Sequence, residues 1–126
     1  KLVEMQQVAT HAAGYKGVIG SAEVVVSPDG KFLYASNRGD ENNIAIFSLN
    51  SSTGKLNLVG YQSILGKAPR NIIIDPPGNF LLEANQNTAN IVVFKRNKQT
   101  GKLKATGPEI HSPKPVCLQV VKMHED

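Results

Sequence analysis

The residues with most capacity for chemistry are one carboxylate and two guanidinium groups, Glu23, Arg38 and Arg70. Arginine grips a phosphate or carboxylate through two parallel hydrogen bonds, and it can stabilise the oxyanion that forms when a carbonyl is attacked. A glutamate close by can take the proton of an attacking water. Together the three suit an anionic ester substrate. Three amides, Asn37, Asn85 and Gln86, are further ligand-binding candidates. Asn37 and Asn85 equally suit turns, because asparagine tolerates left-handed backbone. The plainer use of the arginines is to satisfy buried backbone carbonyls, with Glu23 as their ion-pair partner.

These residues lie far apart in the chain, so a fold must gather them. An internal repeat supplies it. Gly30, Phe32, Leu33 and Asn37 recur at Gly78, Phe80, Leu81 and Asn85, each 48 residues on. Asn43-Ile44-Ala45-Ile46-Phe47 becomes Asn90-Ile91-Val92-Val93-Phe94, and Thr53-Gly54-Lys55-Leu56 becomes Thr100-Gly101-Lys102-Leu103, now 47 on. Pro69 returns as Pro115.

Each unit holds four apolar runs between turn signals. They predict strands at 22–27, 32–36, 44–49 and 56–62, then at 71–75, 80–84, 91–95 and 103–107. Branched Val and Ile suit a pleated strand, and Ser27-Pro28-Asp29-Gly30 has turn chemistry. No apolar stripe of helical period appears, so the class is all-β. Four-stranded antiparallel units of this length are blades of a β-propeller. The expected layout is an outer strand and loop of a preceding blade at 1–21, complete blades at 22–68 and 69–114, an innermost strand of the closing blade at 115–121, and a tail at 122–126. The partial units read as a fragment of a larger ring whose other blades, or another copy of the chain, are its partners. If innermost strands start at the upper rim, second strands end there. Glu23, Arg70, Asn37-Arg38 and Asn85-Gln86 then share one face beside the central channel.

Ala22-Glu23, Ser27-Pro28-Asp29-Gly30, Leu33-Tyr34, Ser36-Asn37-Arg38, Thr53-Gly54-Lys55-Leu56, Pro69-Arg70 and Asn85-Gln86 resemble the C-terminal blades of the seven-bladed lactonase family. That family includes propeller-type 6-phosphogluconolactonases and fungal carboxy-muconate cyclases. The resemblance implies hydrolysis of a sugar-acid lactone, most like 6-phosphogluconolactonase, on a small anionic substrate and without metal or cofactor. The fragment alone is then expected to be inactive. Muconate cyclase-like chemistry and a non-catalytic binding propeller are the alternatives, since fold alone does not decide function.

Composition narrows the field further. Of the 126 residues 40% are hydrophobic, but no run is long enough to span a bilayer, so no membrane partner is expected. The net charge of +4 is spread out, and the basic run Lys95-Arg96-Asn97-Lys98 lacks interleaved aromatics, so no nucleic-acid partner is expected either. The single Cys117 excludes an internal disulfide and fits a cytoplasmic protein as a small packed residue. His11, His111 and His124 have no metal-ligand spacing and read as solvent-exposed loop or tail residues. Asn50-Ser51-Ser52 matches a glycosylation acceptor but reads as turn composition.

Overall fold

Eight strands follow one another in the computed structural model, which describes residues 1–123; His124 lies outside the described residues. They are β1 (Ser21–Val26), β2 (Phe32–Asn37), β3 (Asn43–Leu49), β4 (Leu56–Ser63), β5 (Pro69–Ile74), β6 (Phe80–Asn85), β7 (Asn90–Arg96) and β8 (Leu103–His111). They form two antiparallel meanders, ordered β1-β2-β3-β4 and β5-β6-β7-β8. The eight strands expected within the two complete units are all present, with shifted ends. β8 runs furthest beyond expectation. A bulge around Gly107, at φ +103°, lets it resume pairing with Ile91 and Asn90, which places His111 at a strand end rather than in a loop. No helix among the described residues is long and apolar enough to cross a membrane.

The repeat reappears as repeated turn geometry. Asn50 Oδ1 accepts from the backbone N–H groups of Ser52 and Thr53 at 2.9 and 3.0 Å, and Asn97 Oδ1 does the same for Gln99 and Thr100. Each of these turns closes on a glycine at positive φ, Gly54 or Gly101. The turn reading of Asn50 therefore holds, because its side chain is the turn's own acceptor.

The two sheets meet through side chains that neither could bury alone. Phe32, Tyr34, Ile44, Ile46, Ile72, Leu81, Val92 and Phe94 form much of one shared core. The turn before β8 seats Gly101 against the Phe32 ring, and the Tyr34 hydroxyl donates to Gly101 O at 2.7 Å. Arg96 of the basic run is no surface residue. It is buried with its guanidinium 6.0 and 5.6 Å from the Phe32 and Tyr34 rings. There it donates to Tyr34 Oη at 2.9 Å and Gly78 O at 2.6 Å, with Asp29 3.7 Å away.

Two expected strands are not formed. Residues 1–20 contain no strand, and Leu2, Val3 and Met5 are exposed. An outer strand needs a third strand to pair with, and these residues have none beside them. The segment is held instead by the Gln6 amide, which donates to Leu56 O and accepts from Leu56 N–H at 3.0 and 2.8 Å. Val116–Val121 likewise forms no ladder, and no second strand follows it among the described residues. It runs along an open edge, where Leu118 N–H donates to Asn71 Oδ1 at 2.8 Å. Cys117 is consequently exposed rather than packed.

The seat of Gly101 gives a direct test of blade-to-blade packing. A Cβ there would lie 2.4 Å from Phe32 Cδ1, whereas at Gly30, also at positive φ, it meets nothing within 4 Å. Gly101→Ala should cost roughly 2–3 kcal/mol, combining backbone strain with overpacking, and Gly30→Ala about 1. Denaturant unfolding of the two variants checks the ranking.

Candidate active site

Both inner strands begin with a bulge, and the bulges set the site. Ser21 pairs with Asn37 and Val24 with Ala35, leaving one extra residue at Ala22-Glu23. Pro69 pairs with Asn85 and Asn71 with Ala84, which leaves Arg70 as the extra residue in β5. A bulge re-aims a side chain out of the regular alternation. The same registers place the starts of β1 and β5 beside the ends of β2 and β6, so one rim carries all the expected residues.

Glu23 is half-buried and held on both sides. Its backbone N–H donates to Ser36 Oγ at 3.0 Å, and its Oε2 accepts from Asn71 Nδ2 of the neighbouring blade at 2.8 Å. Asn71 holds in β5 the place of Glu23 in β1, and Leu118 N–H of the following segment, one residue past the counterpart of Asn71, donates to Asn71 Oδ1. A polar relay thus crosses three inner segments.

Arg38 and Gln86 are equivalent to one another. Arg38 N–H donates to Gly20 O at 2.8 Å, and Gln86 N–H to Ala68 O at 2.9 Å. Arg38 lines a cavity of about 400 Å³ with Ser21, Lys67 and Asn87, so two cations face one hollow at the rim. Arg70 is exposed. Among the described residues neither arginine forms an ion pair, and Glu23 has no cationic partner. The plainer reading of Glu23 as an ion-pair partner is therefore not what the structure contains.

Asn37 and Asn85 are fully buried. Asn37 Nδ2 donates to Thr10 O at 2.7 Å and Asn43 Oδ1 at 2.9 Å, and Asn85 Nδ2 donates to Ile64 O at 3.2 Å. Each clips the connection arriving from the preceding unit. Each Nδ2 thus holds a connecting segment inside the protein. His11 is also corrected. It is half-buried, with Nδ1 against Glu41 Oε2 and its ring stacked on Tyr15 at a centroid distance of 6.2 Å.

One residue of the site escaped sequence reasoning. Glu83 is 0% exposed, and neither carboxyl oxygen has a hydrogen-bond partner among the described residues. Burial pushes its pKa up to about 9; the charge of Glu23 adds to the rise, and the nearby Arg70 backbone N–H opposes it. The available signal was a break in the repeat. Glu83 stands inside an apolar strand where the first unit has Ala35.

The chain is similar to known proteins along most of its length. The family described as "Lactonase, 7-bladed beta-propeller" matches residues 1–120. The 6-phosphogluconolactonase of Formosa agariphila is 55% identical over 91 residues, covering 71% of this chain and 26% of that protein. A solved structure of a putative 6-phosphogluconolactonase from Bacteroides fragilis superposes with a TM-score of 0.86 at 43% identity, over 93% of this chain and 32% of that one. The periplasmic gluconolactonase of Pseudomonas aeruginosa gives 0.82 at 34% identity, over 86% and 30%. The chain thus spans about a quarter to a third of the length of these relatives.

The protonated state of Glu83 makes stability depend on pH, and the sign follows from linkage. Below its ordinary value of 4.5 the group is protonated both folded and unfolded. As pH rises from there towards about 9, only the unfolded chain ionises, so stability falls; above about 9 the loss levels off. Glu83→Leu should flatten that slope. It should raise Tm at pH 8.5 by on the order of 5 °C over wild type, with a much smaller gain at pH 4.5, as thermal unfolding at the two pH values would show.

Proposed function

Because the chain belongs to the seven-bladed β-propeller lactonase family, we propose that the whole protein hydrolyses a sugar-acid lactone of the 6-phosphogluconolactone class. The observation that carries this reading is Glu23, a half-buried carboxylate oriented by Asn71 on the same rim as two arginines that form no ion pair among the described residues. Glu23 takes a proton from water, and the hydroxide attacks the lactone carbonyl carbon. Arg70 stabilises the negative charge that develops on the carbonyl oxygen. The ring C–O bond then breaks, and the proton held by Glu23 passes to the departing ring oxygen. The Arg38–Lys67 hollow suits the phosphate of the substrate, since a guanidinium and an ammonium together neutralise a dianion.

The other proposals follow from exposure. Phe80 is 37% exposed while its counterpart Phe32 is 5% exposed under the Gly101 turn, which supports a further blade of the same protein, or another copy, as its cover. An exposed, unpaired Cys117 supports a cytoplasmic location, where thiols stay reduced.

Initial rates of lactone opening, corrected for spontaneous hydrolysis, test the reading. Glu23→Gln should lower kcat by on the order of 10²-fold or more, and Arg70→Ala by a similar factor. Arg38→Ala should raise KM for the phosphorylated lactone about tenfold and leave that of the unphosphorylated one nearly unchanged. Wild-type rates in both Glu23→Gln and Arg70→Ala would remove this rim from catalysis.

A further inference from the structure

The connection entering the first complete blade is longer than its counterpart in the second, and the extra length falls at the rim. In each unit the same two bonds mark its ends. Asn37 Nδ2 donates to Thr10 O and Arg38 N–H to Gly20 O; Asn85 Nδ2 donates to Ile64 O and Gln86 N–H to Ala68 O. Nine residues separate Thr10 from Gly20, but only three separate Ile64 from Ala68. The longer connection faces two acids of the β2–β3 turn, Asp40 and Glu41. The β6–β7 turn, Gln86-Asn87-Thr88-Ala89, has no charged residue.

Both acids are committed to that connection. Val18 N–H donates to Asp40 Oδ2 at 2.9 Å, and Asp40 N–H donates to Val18 O at 3.1 Å, so the two residues clamp one another. Glu41 Oε2 meets His11 Nδ1 near the other end, and the Tyr15 ring stacks on that imidazole. Gly39, at φ +75°, permits the close approach, since a Cβ there would lie 2.1 Å from Val18 O. Among the described residues Asp40 forms no ion pair with Arg38 or Lys67, so its carboxylate leaves their charges unneutralised. Held in this way, Val18 and Ile19 join Arg38 and Lys67 in lining the hollow of about 400 Å³. They are 65% and 61% exposed, so core packing does not account for them. An apolar wall beside two cations has a physical use. It keeps water from an anion bound there, and Coulomb attraction grows as the local dielectric falls.

We propose that the connection 11–19 is the apolar wall of the phosphate site, and that Asp40 is the positioning residue that holds it there through Val18. The role of the wall rests on the reading of the Arg38–Lys67 hollow as the seat of the substrate's phosphate; the clamp does not. Asp40 touches no substrate. Releasing the connection leaves both cations in place but admits water between them and the phosphate, so the loss falls on binding rather than on the chemical step.

Hydrogen exchange of the Val18 amide in the whole protein tests the clamp. Asp40→Ala should speed it about tenfold or more, whereas Asp40→Asn, which keeps an acceptor, should stay within about threefold of wild type. Exchange unchanged in Asp40→Ala, or equally fast in both variants, overturns the clamp. In lactone turnover Asp40→Ala should raise KM for the phosphorylated lactone roughly fivefold, with kcat within about twofold and the KM of the unphosphorylated lactone nearly unchanged. Gly39→Ala, which pushes Val18 O away by a different route, should do the same, and Asp40→Asn should keep KM at or below the wild-type value. A KM unmoved in both Asp40→Ala and Gly39→Ala, a rise shared by the two lactones, or a loss confined to kcat overturns the wall. Absence of turnover in wild type defeats the lactonase reading, while the exchange rates still decide the clamp.

Discussion

A four-stranded blade has no core of its own, and this constraint organises the molecule. Each sheet is a single layer, so its apolar faces leave water only when another layer covers them. Phe32 and Phe80 hold the same place in successive units. The first is buried because the Gly101 turn of the next unit sits on its ring, and the second, without such a cover among the described residues, remains partly exposed. Glycine serves there for two reasons at once: it accepts φ +76°, and it leaves room for the ring. The missing ladders at both ends have the same origin, since a strand forms only where a neighbour accepts its hydrogen bonds.

The interface between blades also buries polar groups, and it treats them in two ways. Arg96 keeps its charge because Tyr34 Oη and Gly78 O accept from it, two rings face it and Asp29 lies close. Its burial is compensated by acceptors in fixed positions. Glu83 has no donor of that quality and escapes the cost by staying neutral. The basic end of the interface is thus structural. The acidic end, next to the bulges of β1 and β5, opens onto the rim where Glu23 and Arg70 stand.

The rim depends on backbone irregularity as much as on side chains. Regular alternation along β5 would turn Arg70 to one face of the sheet. The extra residue opposite Ala84-Asn85 frees it instead, and the matching extra residue in β1 falls at Ala22-Glu23. Asn37 and Asn85 keep these strand ends in place by clipping the incoming connections from Thr10 and Ile64.

Sequence alone determined the repeat, the eight strands, the turn glycines and the rim on which Glu23, Arg38, Arg70 and Gln86 lie. All of these follow from local chemistry: apolar period, turn propensity, and the fixed polarity of an antiparallel meander. It misjudged what depends on cover. The strands within 1–21 and at Val116–Val121 are absent for want of partners, Arg96 is an interface residue although it sits in a basic run, and Asn37 and Asn85 face inward. Glu83 was legible only as an acid in place of Ala35. Its raised proton affinity was decided by the packing of one blade on the next, because a carboxyl's proton affinity is set by the water and charges around it rather than by its neighbours in the chain.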